Sequence, residues 1–294
     1  MKKIGMIGIG MMGHGIATNL LKHGHTLTLL EHPGNQPLAG LIASGAHTAT
    51  DPKSLAETSD LIILCVTGTP QVEEVLLGDN GVLMGLRADT IIIDCSTAIP
   101  ASTDRVAAMV LAKGGKFLDA PMTRTPKEAA EGRLNLLVDG DTALFEQCKP
   151  ILACFAENIV HAGPIGAGHR MKLLHNFVSL GSVALMAEAA ACANAVGIPA
   201  QTFVDVLAMG GGWGAPLERL KPYLVNQDTS SMRFSIANSL KDLSYYNQMA
   251  QDIGSDRTIA GSVKQTLAQA CQEEDPQKLL PELVTILSQR KQGG

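Results

Sequence analysis

The sequence predicts an α/β domain with a doubly wound, mainly parallel sheet, followed by an all-α domain. Three observations carry that prediction. Short β-branched runs alternate with helical stretches through the first half of the chain, and strands alternating with helices are the mark of βαβ units. Several of those runs are apolar almost without interruption, as in Leu61 to Val66, which is how strands covered on both faces read. After Gly163-Pro164-Ile165-Gly166-Ala167-Gly168 the pattern changes, and from His169 onward the periodicity is helical.

Taken in order, strands are predicted over 3–9, 26–31, 60–66, 90–95 and 116–120, with 134–138 and 158–161 able to extend the same sheet. The boundary divides the chain into a domain of residues 1–164 and a helical domain of residues 165–294. The Ala-rich stretch 170–196 is apolar around much of its circumference and predicts a central helix buried on several sides. Gly197-Ile198-Pro199 ends it, because Gly caps a helix and Pro cannot continue one. Gly210-Gly211-Gly212 breaks the next helical stretch.

Composition narrows the function classes. A chain of 294 residues has room for two domains, and 3% aromatic residues predict a core of Leu, Ile, Val, Met and Ala. The net charge of −5 with no long basic cluster gives no footprint for a nucleic-acid backbone and turns attention to a small-molecule partner. Apolar runs interrupted by Glu188 and Asn194, and an N-terminus without a long apolar stretch, predict a cytoplasmic protein outside the membrane. The six cysteines form no CxxC pair and are expected to be reduced and buried. His23 and His25 are the one close histidine pair, and no metal-ligand spacing predicts a metal site.

The first strand runs into Gly8-Ile9-Gly10-Met11-Met12-Gly13, and a helical stretch follows at Ile16. A G-x-G-x-x-G between a strand and a helix lets the backbone turn tightly and approach a dinucleotide pyrophosphate at the helix N-terminus. The domain is thus Rossmann-like. Glu31 ends the second strand near the spacing at which an acid accepts the ribose hydroxyls, although it equally suits the end of any strand. His32-Pro33-Gly34-Asn35 offers no fixed cation for a 2′-phosphate, which favours NAD over NADP. Thr67 and Thr97 follow two further strands, where hydroxyls either meet ribose and nicotinamide or serve as turn and N-cap residues.

Two stretches carry candidate chemistry. The polar loop from Asp119 to Ala129 holds Thr123, Arg124 and Thr125. Arg124 is suited to capture an anion, or else is a solvated surface residue. Lys172 and Asn176, four residues apart, share one helix face. If Lys172 is partly buried, its pKa falls from about 10.4 toward the range of acid-base work; the other reading is a snorkelling lysine and a capping amide.

These residues together resemble the β-hydroxyacid dehydrogenase family, which includes 3-hydroxyisobutyrate dehydrogenase and tartronate semialdehyde reductase. The resemblance rests on Gly8 to Gly13, Asp94-Cys95-Ser96-Thr97, Asp119-Ala120-Pro121 with Gly132, Gly168 through Lys172 to Asn176, and Lys241-Asp242. It implies Lys172 as acid-base, Asn176 and Thr123 as substrate-binding residues, Thr97 beside the nicotinamide, Lys241 reaching cofactor or substrate, and a homodimer or homotetramer. Its substrate would be a small anionic hydroxy acid or semialdehyde. The chain departs from the family where Met122-Thr123-Arg124-Thr125 replaces Val-Ser-Gly-Gly, and where His175-Asn176 replaces Asn-Asn. The Arg-Thr pair looks like that of the sulfolactaldehyde reductases, in which it would hold a sulfonate. Two alternatives stand beside this reading: an imine reductase, against which Lys172 argues, and a dinucleotide-binding protein without catalysis. Trp213 either closes over the site or fills the core, the commoner role for a lone Trp, and is left out of the site.

Overall fold

The computed structural model describes residues 2–290. Strands form at the five apolar runs and stop one or two residues before the predicted ends: β1 is Lys3–Ile7 and β2 is Thr26–Leu30. A short strand with no apolar signal, β3 (His47–Ala49), follows; then come β4 (Leu61–Leu64), β5 (Ile91–Asp94) and β6 (Lys116–Asp119). These six pair in the order β3-β2-β1-β4-β5-β6, and every pair is parallel. In a doubly wound sheet of this order ligands lie beyond the carboxyl ends of the strands, where the winding reverses. Here that point is between β1 and β4.

Alternation along each strand explains why the runs are apolar throughout. Met6, Ile63, Ile93 and Leu118 enter one core cluster, while Ile7, Ile62, Ile92 and Phe117 enter another on the opposite face.

The expectation that 134–138 and 158–161 lengthen this sheet needs correction. Both are strands, β8 (Leu134–Asp139) and β9 (Ala156–Gly163), but β8 pairs with β9 on one side and with the two-residue β7 (Met122–Thr123) on the other, in a separate three-stranded sheet. The change falls at Pro121: Ala120 N still donates to the Asp94 carbonyl of β5, whereas the Pro121 carbonyl faces the other way and accepts from Leu137 N of β8. The polar loop after β6 therefore leaves one sheet and enters another within two residues.

The chain divides into compact units Met1–Lys172 and Leu173–Gly294. In the second unit, among the described residues, Leu180, Val183, Ala184 and Ala187 of the long helix Ala167–Ala195 bury against Leu220, Ile236, Leu243 and Leu267. By length and hydropathy alone this helix could cross a membrane. Its predicted burial on several sides is also corrected: the face with Leu180, Val183, Ala184 and Ala187 is buried, whereas Val178 is 65% and Leu185 72% exposed. The cysteines are all unpaired; Cys95, Cys148 and Cys154 are buried, but Cys192 is exposed, contrary to expectation. Trp213 is likewise 71% exposed and fills no core.

Candidate active site

The glycine loop is built from what a side chain would obstruct. Gly8 has φ +92°, in the left-handed region. A Cβ there would strike the Cys65 carbonyl at the end of β4, and one at Gly13 would strike the Gly8 carbonyl. Gly10 is the N-cap of the helix Met11–Lys22, makes no side-chain cap and has no atom close to where a Cβ would stand. First-turn amides left uncapped by side chains, with Met11 60% exposed beside them, suit an anion. Ile9 is held on both sides, its N–H donating to Asn35 Oδ1 and its carbonyl accepting from Gln36 N.

Glu31 lies just past β2, where its N–H donates to the Ala49 carbonyl of β3. Its side chain lines a cleft of about 450 Å³ with His32, Pro33, Asn35, Gln36, Leu38 and Thr50. Among these lining residues the one fixed charge is the Glu31 carboxylate. Glycine cradle, uncapped helix start and acidic cleft all fit a dinucleotide.

At the carboxyl ends of the strands lies a network that motif reading missed. Asp94, Asp119, Asp139 and His169 are each at most 1% exposed. Asp119 accepts N–H bonds from Gly166 and His169, and Asp139 accepts from Gly168 and from Asp119 N. The first amides of the long helix are thus capped by carboxylates from β6 and β8 rather than by a neighbouring residue. Burial pushes the Asp119 carboxyl above its ordinary range, opposed by the charge of His169 and by these amides. Three apolar strands that each end in Asp, Ile-Ile-Ile-Asp94, Phe-Leu-Asp119 and Leu-Val-Asp139, were the available signal. Beside them, Val66 N donates to Ser96 Oγ, and Thr97 follows that serine in the loop after β5. Thr67 is exposed after β4.

Lys172 stands in the second turn of the long helix, half-buried, with Nζ donating to the Met122 carbonyl at 2.7 Å. The fold therefore brings this candidate amine to the polar loop after β6. Thr123 follows Met122, and its hydroxyl accepts from Asn135 Nδ2 at 3.0 Å, while Asn135 Oδ1 accepts from Asn158. Arg124 has φ +82°, a left-handed conformation unusual for a residue with a Cβ. Its guanidinium pairs with Glu157 and donates to the Arg133 carbonyl. That hydrogen bond holds the Glu157 carboxyl below its usual range. Thr125 acts locally, as the N-cap of the helix Pro126–Glu131 in a capping box with Glu128.

In the second unit, Asn176 is buried and donates from Nδ2 to Asp242 Oδ2 at 2.6 Å, and its Oδ1 meets His175 Nδ1 at 3.0 Å. Lys241 pairs with the other oxygen of Asp242 at 2.9 Å and lies over the Tyr245 ring. Asp242, buried between them, is a second residue whose role the sequence did not show. Among the described residues, no group of three or more His, Cys, Asp or Glu is arranged to hold a metal ion.

Residues 3–163 match the family model described as the NAD binding domain of 6-phosphogluconate dehydrogenase, and 166–285 match that described as NAD-binding of NADP-dependent 3-hydroxyisobutyrate dehydrogenase. The chain is 32% identical over 270 residues to the 3-sulfolactaldehyde reductase of Escherichia coli (strain K12), covering 92% of this chain and 90% of that one. It is also 32% identical over 237 residues to the NAD-dependent L-serine dehydrogenase of Pseudomonas aeruginosa, covering 80% and 79%. Among solved structures, the Mycobacterium tuberculosis 3-hydroxyisobutyrate dehydrogenase with L-serine superposes with TM-score 0.87 at 25% identity, covering 98% and 99%.

Proposed function

The chain belongs to the NAD(P)-dependent β-hydroxyacid dehydrogenase family, and we propose that it interconverts a small hydroxy acid or hydroxy sulfonate with its semialdehyde, using NAD(H), with Lys172 as the acid-base. The observation that carries this reading is the hydrogen bond from Lys172 Nζ to the Met122 carbonyl, which aims the amine at the loop where the substrate's carbonyl would lie. Bound NADH supplies the hydride. An ammonium has three N–H donors; with one directed to Met122, the group is oriented to protonate the forming alkoxide. In the reverse direction the neutral amine accepts the hydroxyl proton. Thr123 and Arg124 bind the anionic end of the substrate, and Asn176, one helical turn after Lys172, holds its hydroxyl side. Thr97 and Lys241 serve the cofactor. NAD is favoured over NADP by Glu31 and by the lack of a fixed cation in its cleft.

A guanidinium at position 124, together with the likeness to the E. coli sulfolactaldehyde reductase, supports a sulfonate as the preferred anion, since Arg presents a rigid fork of donors to such oxygens. We further read the protein as a homodimer or homotetramer, supported by the exposed Val178 and Leu185 on a long helix. NADH oxidation is to be measured against short aldehydes bearing carboxylate, sulfonate or phosphonate ends, using the wild type, Lys172→Ala and Arg124→Gly. Loss of most turnover in Lys172→Ala with NADH binding retained supports the acid-base role; full turnover in that variant ends it. Selective loss of the sulfonate substrate in Arg124→Gly identifies the specificity residue, whereas unchanged turnover returns Arg124 to its pair with Glu157.

A further inference from the structure

His169 is the most completely enclosed titratable side chain on the long helix, at 0% exposed, and the proposed chemistry does not use it. Both ring nitrogens are engaged. Nε2 lies 3.1 Å from the Ser96 carbonyl and Nδ1 2.8 Å from Thr103 Oγ1. A carbonyl can only accept, so Nε2 carries a proton, while Nδ1 meets the Thr103 hydroxyl, which also reaches the Ile99 carbonyl at 3.3 Å. The ring is flanked by carboxylates, with Asp119 Oδ2 3.4 Å from Nδ1 and Asp94 Oδ2 4.0 Å from Nε2.

The consequence lies in what the two ends of this residue hold. Its backbone N–H is gripped by Asp119 at 2.6 Å, one turn before Lys172. Its ring reaches the carbonyl of Ser96, the residue before Thr97. Ser96 is in turn held by Asp94 through its own N–H and gives its hydroxyl oxygen to Val66 N. One imidazole therefore ties the start of the helix that bears Lys172 to the turn after β5. The aspartates fix the helix start to the ends of β6 and β8, but only the His169 ring, among the bonds described for this network, extends from that helix to the Ser96 carbonyl.

We propose that His169 is a positioning residue that sets the spacing between the Ser96-Thr97 turn and the Lys172 amine. This rests on the roles proposed for Thr97 and Lys172. A displacement near 1 Å in such a spacing can cost about a hundredfold in rate while leaving binding in place.

The test compares wild type, His169→Leu, His169→Gln, Thr103→Val and Lys172→Ala, with 3-sulfolactaldehyde as substrate and with NADH and its 4-deuterated form. Thermal melting and NADH titration check folding and cofactor binding. The expected result for His169→Leu is a fall in kcat of at least tenfold, NADH affinity within threefold of wild type, and a larger isotope effect as hydride transfer becomes more rate-limiting. Gln can donate to Ser96 and accept from Thr103, so His169→Gln should recover most of the lost kcat. Should His169→Leu fail to fold, Thr103→Val removes the bond that orients the ring without emptying the site, and should lower kcat several-fold with the same change in isotope effect. Wild-type kcat and isotope effect in the folded His169 or Thr103 variants overturn the proposal while Lys172→Ala remains inactive. Wild-type turnover in Lys172→Ala instead overturns the acid-base reading, and the coupling with it.

Discussion

The glycine loop and the polar loop after β6 follow the carboxyl ends of strands in the same unit, yet they treat the backbone in opposite ways. In the first, Gly8 and Gly13 stand where any Cβ would collide with a carbonyl, and the only left-handed residue is a glycine. In the second, Arg124 has φ +82°, a region that favours glycine. A non-glycine residue in that region costs roughly 1–2 kcal/mol. The first loop leaves its backbone open to approach; the second holds a left-handed arginine whose guanidinium pairs with Glu157. Strain of this kind gathers where function needs a particular group.

The largest effect should come from the residue that joins the loop to the long helix. Lys172→Ala is expected to lower kcat by about 10²–10⁴, the range usual for a lost general acid-base, with NADH affinity unchanged in a fluorescence titration. Loss of NADH binding in that variant would instead assign the amine to the cofactor.

Next comes the backbone cradle. Gly13→Ala drives a methyl group into the Gly8 carbonyl, and overpacking of about 1–3 kcal/mol should weaken NADH binding roughly 10- to 100-fold. Near-normal affinity would show that this loop is as tolerant as the other and would remove the contrast.

Arg124→Gly should split the two quantities that the loop joins. The KM for an anionic aldehyde is expected to rise about tenfold or more, since a hydrogen bond to a charged group is worth roughly 1.5–3 kcal/mol. Stability in urea should hold or improve by up to about 1 kcal/mol, because the strain relieved exceeds the worth of a partly exposed pair with Glu157. A variant that is clearly less stable would mean that the arginine is structural.

The smallest effect is expected from Thr125→Ala. It removes the cap of Pro126–Glu131 and should destabilise the unit by about 1 kcal/mol with a modest change in KM. The Thr125 hydroxyl holds the Glu128 carboxyl below its usual range. The matching stability is present above the unfolded-state pKa of that carboxyl and is lost as pH falls through the lower folded value. Thr125→Ala should therefore flatten the acid side of the stability profile; a large fall in kcat at unchanged stability would place Thr125 on the substrate.

Much of the site was legible because its signals are local. Gly8, Gly10 and Gly13 are read from a strand and a helix that adjoin them, and Lys172 and Asn176 from their spacing on one helix. Asp119, Asp139, Asp242 and His169 were not legible as working residues. Each acts on a partner at least 20 residues away, as Asp119 does on Gly166 and Asp242 on Asn176. The separate second sheet was missed for a related reason: an apolar run shows that a strand forms, but not which neighbour it pairs with.

The sequence by itself determined the α/β unit, the dinucleotide loop and the helical second half, because backbone sterics and apolar periodicity act over a few residues. Only the tertiary structure decided that the polar loop after β6 enters a second sheet at Met122, that Lys172 reaches the Met122 carbonyl, and that buried aspartates cap the helix carrying it. Those features depend on hydrogen bonds between distant segments, and such bonds exist only once the core has brought the segments together.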